Sequence, residues 1–257
     1  MIVEPAVMTL LALGNVPMVQ PGDDLSAILI AALDGGDQVL RDGDIIVIAQ
    51  KIVSKAEGRA VRLSDVTPSP RAIALAAQCD KDARLVELIL SETDSVMRVR
   101  RGVLVVRHRL GLVLANAGID QSNIAQDGDG VALLLPVDPD ASAAVLRDRL
   151  AAHSGADIAI VIIDSLGRAW RKGTCGIAIG VAGMAGLLDL RGVPDLHGRP
   201  LQTSELGLAD EVAAAASLVM GQAGEGRPVV LARGIARGPA HGRAADLIRE
   251  PALDLFP

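Results

Sequence analysis

Apolar residues along this chain come in short blocks whose period changes from segment to segment. Asp44-Ile-Ile-Val-Ile-Ala49, opened by Asp42-Gly43, is a β-branched run that predicts a buried strand. Thr67-Pro-Ser-Pro70 offers Ser69 as a helix cap and Pro70 at the first helical position. Two helical stretches are predicted to follow, the second carrying Leu85, Leu88 and Ile89 at three- and four-residue spacing. Val103–Val106 and Gly111–Leu114 flank a short turn at Arg109-Leu110, which predicts a β-hairpin. After the loop Pro136–Asp140, Asp140 is placed to cap a helix through Leu146 and Leu150, with Gly155 at its end. Ile158–Ile163 is apolar on both faces and is the strongest strand signal. Asp210–Met220 reads as a helix with acidic residues on its first turn, and Pro228–Leu231 as another strand. Hairpins mixed with helix-linked strands predict an α+β fold of mixed sheets and packed helices, not a doubly wound sheet. The loop near Pro136–Asp140 is the best candidate for a change of lobe within one module spanning 1–257, read as two intertwined lobes.

Composition narrows the function classes. The chain has 257 residues, half of them hydrophobic, with a formal charge of −6, so no broad field draws it to nucleic acid. Trp170 and Phe256 are its only aromatic residues, whereas a single-strand binder needs several stacking rings, so nucleic acid is not an expected partner. Cys79 and Cys175 lack metal spacing and read as two buried cytosolic thiols. The N-terminus is a poor signal peptide, and the uncharged run between Lys172 and Asp189 falls short of the ~20 residues that span a bilayer. The expectation is a cytoplasmic protein without a membrane partner.

Candidate chemistry gathers in a few polar interruptions. Asn116-Ala-Gly-Ile-Asp-Gln-Ser-Asn123 stops an apolar run with more polar side chains than a turn needs; Asp120, Ser122 and Asn123 are the hard ligands and amide donors that a metal-bound phosphate requires. Asp164-Ser165 stands where Ile158–Ile163 runs out, ahead of Arg168, Arg171 and Lys172. Two readings stand there: a carboxylate holding a cation beside anion-binding residues, or a turn cap with solvated cations. Lys55, after the strand Asp44–Ala49, is either a point charge for phosphate or a surface lysine. Gly221-Gln-Ala-Gly-Glu-Gly226 is either a phosphate approach or a helix end followed by a turn, and Gly14–Val19 is weaker evidence of a nucleotide loop. Neither GxxxxGK[ST] nor GxGxxG occurs, so P-loop and Rossmann fingerprints are absent. The four histidines are scattered and no serine has a nucleophile-elbow setting.

In chain order, Pro21-Gly-Asp-Asp, Lys51-Ile-Val-Ser-Lys-Ala-Glu-Gly-Arg, Asn116-Ala-Gly-Ile-Asp-Gln-Ser-Asn, Asp164-Ser-Leu-Gly-Arg-Ala-Trp-Arg-Lys-Gly, Asp189-Leu-Arg-Gly and Met220-Gly-Gln form one set. With this set the chain resembles the coenzyme F-420-0:L-glutamate ligase (gamma-glutamyl ligase) family, from about Leu13 to the strand near Leu231. The resemblance implies an α+β fold unlike ATP-grasp and a GTP-dependent amide ligase adding L-glutamate to a phospholactyl deazaflavin coenzyme precursor. It further implies Mg2+ or Mn2+, a helping K+, and a homodimer with the active site near the subunit interface. Relatives can carry a C-terminal flavin-type domain; none is expected within this sequence.

By matched position, the resemblance makes Asp120, Asp164 and Ser165 metal ligands, serine keeping the hydroxyl of the family's usual threonine. It assigns GTP contacts to Val16, Pro17, Met18, Val19, Lys55 and Asn123. Gln50 falls on a further GTP-contact position where a small hydroxyl residue is common, and Met220-Gly221-Gln222 on a nucleotide and metal segment in which some relatives have glutamate in place of Gln222. Asp120, Asp164 and Lys55 are the expected catalytic group, with Arg168 and Arg171 as further anion holders. The implied chemistry is phosphoryl transfer to a carboxylate followed by aminolysis, in which positioning and charge neutralisation dominate. A GTP-dependent phosphotransferase with another acceptor, or a non-catalytic nucleotide-binding module, are the rival expectations.

Overall fold

The computed structural model describes residues 6–121 and 130–254. The chain begins with β1 (Thr9–Ala12), α1 (Leu25–Gly35), β2 (Ile45–Ala49), α2 (Gln50–Ala56) and β3 (Ala60–Arg62). Helices α3 (Pro70–Cys79) and α4 (Ala83–Ser91) follow, then β4 (Thr93–Arg100), β5 (Val103–His108), β6 (Val113–Ala115) and β7 (Val131–Leu133). The remainder comprises α5 (Pro139–Ser154), β8 (Ala159–Gly167), β9 (Thr174–Ala182), β10 (Leu188–Asp189), β11 (Glu205–Leu206), α6 (Leu208–Met220) and β12 (Val229–Arg233). The α+β expectation holds: helices pack on mixed and antiparallel sheets. Among the described residues no helix is long and apolar enough to cross a membrane.

The principal sheet has the order β1-β12-β2-β8-β9, with β2 and β8 parallel and the other pairs antiparallel. Its central strands are apolar on both faces because both faces are covered. Ile46, Ile48, Ile160 and Ile162 point into one core with α1, α2 and α5, while Ile45, Val47, Val161 and Ile163 point into another with α6. The fully buried isoleucines each stabilise the fold by roughly 1.5–3 kcal/mol. A one-residue slip of β8 would exchange the two faces, so the register is strongly specified.

The sequence ends the β8 strand at Ile163, yet β8 continues through Asp164 and Ser165 to Gly167 because β9 pairs with it over that length. The glycine-rich run read as an uncharged stretch is that partner. Its glycines admit close neighbours: a Cβ on Gly176 would overlap the backbone oxygen of Ala213 in α6, and one on Gly180 the oxygen of Pro139 in α5. Cys175 lies on this strand and is only half-buried, unlike the buried Cys79.

A second packing unit places α3 and α4 against the antiparallel sheet β4-β5-β6, over Ala72, Cys79, Val86, Ile89, Leu104 and Val106. Ser69 caps α3 with Pro70 at the first position, as the sequence predicts. The start of α5 differs: Asp138, not Asp140, is the cap, because Pro139 fixes the first helical residue and the cap must precede it. Asp140 instead accepts backbone N–H bonds from Val181, Ala244 and Ala245.

Glu92 pins this second unit to the loop before α5. Its carboxylate accepts from Arg59 at 2.8 Å and Arg109 at 3.0 Å, with His108 Nε2 at 3.4 Å. The same two arginines donate to the carbonyls of Leu135 and Val137. Burial pushes the Glu92 carboxyl up, but the hydrogen bonds from His108 and Arg59 and the charges of Arg59 and Arg109 outweigh it, leaving it at about 2.

Candidate active site

The site forms where the parallel pairing of β2 and β8 ends. Ala49 of β2 is in register with Ile163 of β8, so the next residues, Gln50 and Asp164, emerge as neighbours where β2 ends and β8 runs on paired with β9. Open sheets present ligands at such ends, where the backbone stops pairing and side chains turn outward. Here β2 passes directly into α2, whose first two residues, Gln50 and Lys51, face the strand end.

Asp120 reaches the same place from another direction. Asn116, Ala117 and Gly118 all have left-handed backbone, at φ of 53°, 53° and 66°. Two consecutive non-glycine residues in that region are strained, and such strain persists where the surroundings over-determine it. Ala117 is fully buried, Asn116 Oδ1 accepts from the N–H of Leu104 at 3.1 Å, and a Cβ on Gly118 would press on Leu114 and Leu135. The chain then straightens, and Asp120 exchanges both backbone hydrogen bonds with Leu133, at 3.0 and 2.8 Å. The turn therefore delivers Asp120 on a fixed backbone. Its carboxylate meets Lys51 Nζ at 2.5 Å.

Asp164 is under-compensated by comparison. Burial pushes its carboxyl up and the charge of Asp120 pushes it further; the Ser165 N–H, Lys51 and a hydrogen bond from Gln50 oppose them without prevailing. Gln50 is buried, and Ser54 Oγ donates to its Oε1 at 2.9 Å, which leaves the amide nitrogen for the carboxylate. Gln50 thus has its side chain committed to Asp164 and Ser54. Lys55, one turn along α2, is pushed below the usual lysine range by burial and by the nearby charge of Lys51.

Ser165 and Gln222 form a second pair, Oγ to Oε1 at 2.6 Å. Strand alternation turns Ser165 away from Asp164, toward the face covered by α6, at whose end Gln222 lies. Met220 is buried in the α6 core, and Gly221 ends the helix at φ 77°. Val16 and Val19 pack on the core beneath α1 and α2, Met18 is exposed, and Pro17 lies between them on the surface. The Gly22 N–H to Ala56 carbonyl bond, 2.9 Å, ties this segment to the end of α2. Ser122 and Asn123 lie outside the described residues.

Of the predicted site residues, Asp120 and Asp164 converge with Gln50, and Ser165 joins Gln222. Lys51 was not singled out in the sequence, where Lys55 drew attention as the lysine beside Ser54 and Gly58. The signal for Lys51 was its place directly after a buried parallel strand. A cavity of about 700 Å3 between the start of α5, β9 and residues 240–248 contains neither carboxylate.

The donor set fits a hard divalent cation. Two carboxylates press on each other, with neutral oxygens of Ser165 and Gln222 across the strand end. Among the described residues no three histidine, cysteine or acidic side chains gather at one point. Magnesium suits such a partial shell, because it keeps waters and takes remaining ligands from phosphates.

Comparison with known proteins is consistent along nearly the whole chain. A family model described as F420-0:Gamma-glutamyl ligase matches residues 14–234. A protein named Coenzyme F420:L-glutamate ligase from Methanothermobacter thermautotrophicus is 45% identical over 251 residues, covering 97% of this chain and 98% of that one. Proteins of the same name are 43% identical in Methanopyrus kandleri, over 93% of both chains, and 40% identical in Methanocaldococcus jannaschii, over 86% of this chain and 92% of that one.

Proposed function

The chain belongs to the F420-0:gamma-glutamyl ligase family, and from that premise we propose that it is a GTP-dependent ligase joining L-glutamate to a deazaflavin coenzyme precursor. The observation that carries the reading is that Asp120 and Asp164 converge beside the end of β2, where the charge of Asp120 pushes the buried Asp164 carboxyl up and Lys51 pairs with Asp120. A Mg2+ or Mn2+ ion held by Asp120 and Asp164 would supply charge neutralisation for phosphate oxygens, and the neutral oxygens of Ser165 and Gln222, on the other face of β8, would serve a second ion of the same site.

In the proposed first step a carboxylate oxygen of the acceptor attacks the γ-phosphorus of GTP. The bond to the β–γ bridging oxygen breaks, giving an acyl phosphate and GDP. In the second step the glutamate amine attacks the acyl carbon, phosphate leaves, and the nitrogen gives up its proton. No protein nucleophile is required. Lys55 provides a point charge for the phosphates, and its depressed ammonium gains stability when an anion arrives. Lys51 holds Asp120 in place. The Val16–Val19 backbone, with Asn123 and the Met220–Gln222 segment, completes the nucleotide contacts in this reading; hydrogen bonds to the guanine edge can reject an analogue by ~10⁴-fold. K+ dependence and a homodimer with the site near its interface belong to the same proposal.

Incubating the protein with GTP, Mg2+ or Mn2+, L-glutamate and the precursor, with mass-spectrometric detection, tests it. The expected product is heavier by one or more glutamyl units, and its formation is abolished in Asp120→Asn. GDP release that needs no glutamate would point to phosphotransfer instead, and nucleotide binding without any turnover would end the enzyme reading.

A further inference from the structure

We propose that the β8–β9 turn, Arg168–Gly173, is the acceptor-binding element, with Arg168 pairing an oxyanion of the acceptor and the Trp170 indole covering its planar ring. The proposal rests on the ligase reading for the identity of the acceptor. The placement comes from the strand: Asp164 and Leu166, two residues apart, share a face of β8, and Arg168 follows directly where the strand ends at Gly167. Leu166 packs on the core that contains Ile160 and Ile162, which fixes which face that is. Four residues on from Asp164, Arg168 lies within about 13 Å of it at ~3.3 Å per residue. An extended acceptor with its reacting carboxylate beside Asp164 spans such a distance.

Two observations at the turn point to a ligand. Arg168 Nη1 is buried without a hydrogen-bond partner among the described residues. A guanidinium N–H removed from water and left unpaired is costly, and an oxyanion is the partner its geometry suits. Next to it, Trp170 is 87% exposed and has a left-handed backbone at φ 61°. A bulky residue in that region is a genuine outlier. This chain has two aromatic residues in all, so an indole held outward on strained backbone is not there to fill a core. Arg171 and Lys172 are exposed on the same turn and add positive charge around it. A flat heteroaromatic ring with an anionic tail matches an exposed indole beside cations.

Trp170 is the only tryptophan, so its fluorescence reports on this turn alone. With the full chain and Mg2+, titration with the phospholactyl deazaflavin precursor should quench the emission to saturation. Riboflavin 5′-phosphate, a tricyclic phosphorylated probe, should quench more weakly, and GTP alone or glutamate alone should not. Trp170→Ala should raise the KM for the precursor roughly tenfold or more, the scale of one lost stack, with the KM for GTP within twofold. Trp170→Phe should recover most of that loss. Arg168→Met should also raise the precursor KM, and Arg168→Lys less so; a rise confined to the GTP KM would assign Arg168 to the nucleotide and overturn its part. Emission unchanged at saturating precursor, or quenching that follows protein concentration instead, as at a subunit contact, overturns the proposal. Glutamylation by wild-type protein while Trp170 stays silent defeats this inference alone. Absence of glutamylation defeats the ligase reading, while the quenching still reports on the turn.

Discussion

Glu92 and Asp164 are two sheltered carboxylates with opposite settings. Glu92 lies among Arg59, Arg109 and His108, and these hold its carboxyl at about 2 despite burial. Asp164 has one amide, one backbone N–H and a lysine already paired elsewhere, and the charge of Asp120 pushes it up. The first is a closed electrostatic account in which both carboxylate oxygens face arginine donors, so it fastens α3, α4 and their sheet to the loop before α5. The second is open, because the nearby cation Lys51 is paired with Asp120. In the proposed function, the Asp120–Asp164 pair would take a cation that arrives from outside the chain.

The comparison is broken most severely by neutralising the open member. Asp164→Asn should lower kcat for glutamate addition on the order of 10²–10³-fold, the scale of losing an electrostatic stabiliser of the transition state. Its thermal midpoint should not fall, because the substitution relieves burial of a charge and repulsion from Asp120. Parallel loss of midpoint and activity would contradict this.

Neutralising the closed member should do the reverse. Glu92→Gln leaves two arginines facing an uncharged amide and should cost about 3 kcal/mol in urea unfolding, with kcat of the folded protein within twofold of wild type. The acid limb sharpens the point. Glu92 has its folded carboxyl lowered from 4.5 to about 2, so its contribution is full above pH 4.5 and is lost as pH falls toward 2. The linked stability is about 3 kcal/mol. Wild type should lose that increment over this window, and Glu92→Gln should lack it.

A smaller effect should come from the support beneath Asp164. Gln50→Leu removes the amide that faces the carboxylate and should weaken Mn2+ binding about 10–100-fold, as changes behind metal ligands do. GTP affinity at saturating Mn2+ should stay within twofold, because the Gln50 side chain is committed to Asp164 and Ser54. Ser54→Ala, which only frees the amide to turn, should cost about fivefold, the equivalent of ~1 kcal/mol.

The sequence disclosed most of this arrangement element by element. Ser69-Pro70, Gly155 and the apolar run at Ile158–Ile163 are local signals, because caps, left-handed ends and two-sided burial are written in neighbouring residues. What stayed hidden depends on partners distant in the chain. Asp164 and Ser165 lie within a strand because β9 pairs with them, and no local pattern states that a glycine-rich run will be that partner. Lys51 and Gln50 gain their roles from the parallel register of β2 and β8. Asp120 and Asp164 were legible as candidates because each interrupts an apolar run. Their convergence required the Asp120–Leu133 bridge, which joins segments that hydrophobic period cannot relate.

The most direct test of the difference between the two carboxylates is Mn2+ binding without nucleotide, followed by electron paramagnetic resonance of the free ion. Saturable binding is expected for wild type and for Glu92→Gln, with affinity reduced about 100-fold or more in Asp120→Asn and Asp164→Asn, the upper range for a disturbed metal site. Equal Mn2+ affinity in all four proteins, or loss only in Glu92→Gln, would contradict the assignment of the strand-end pair as the cation site.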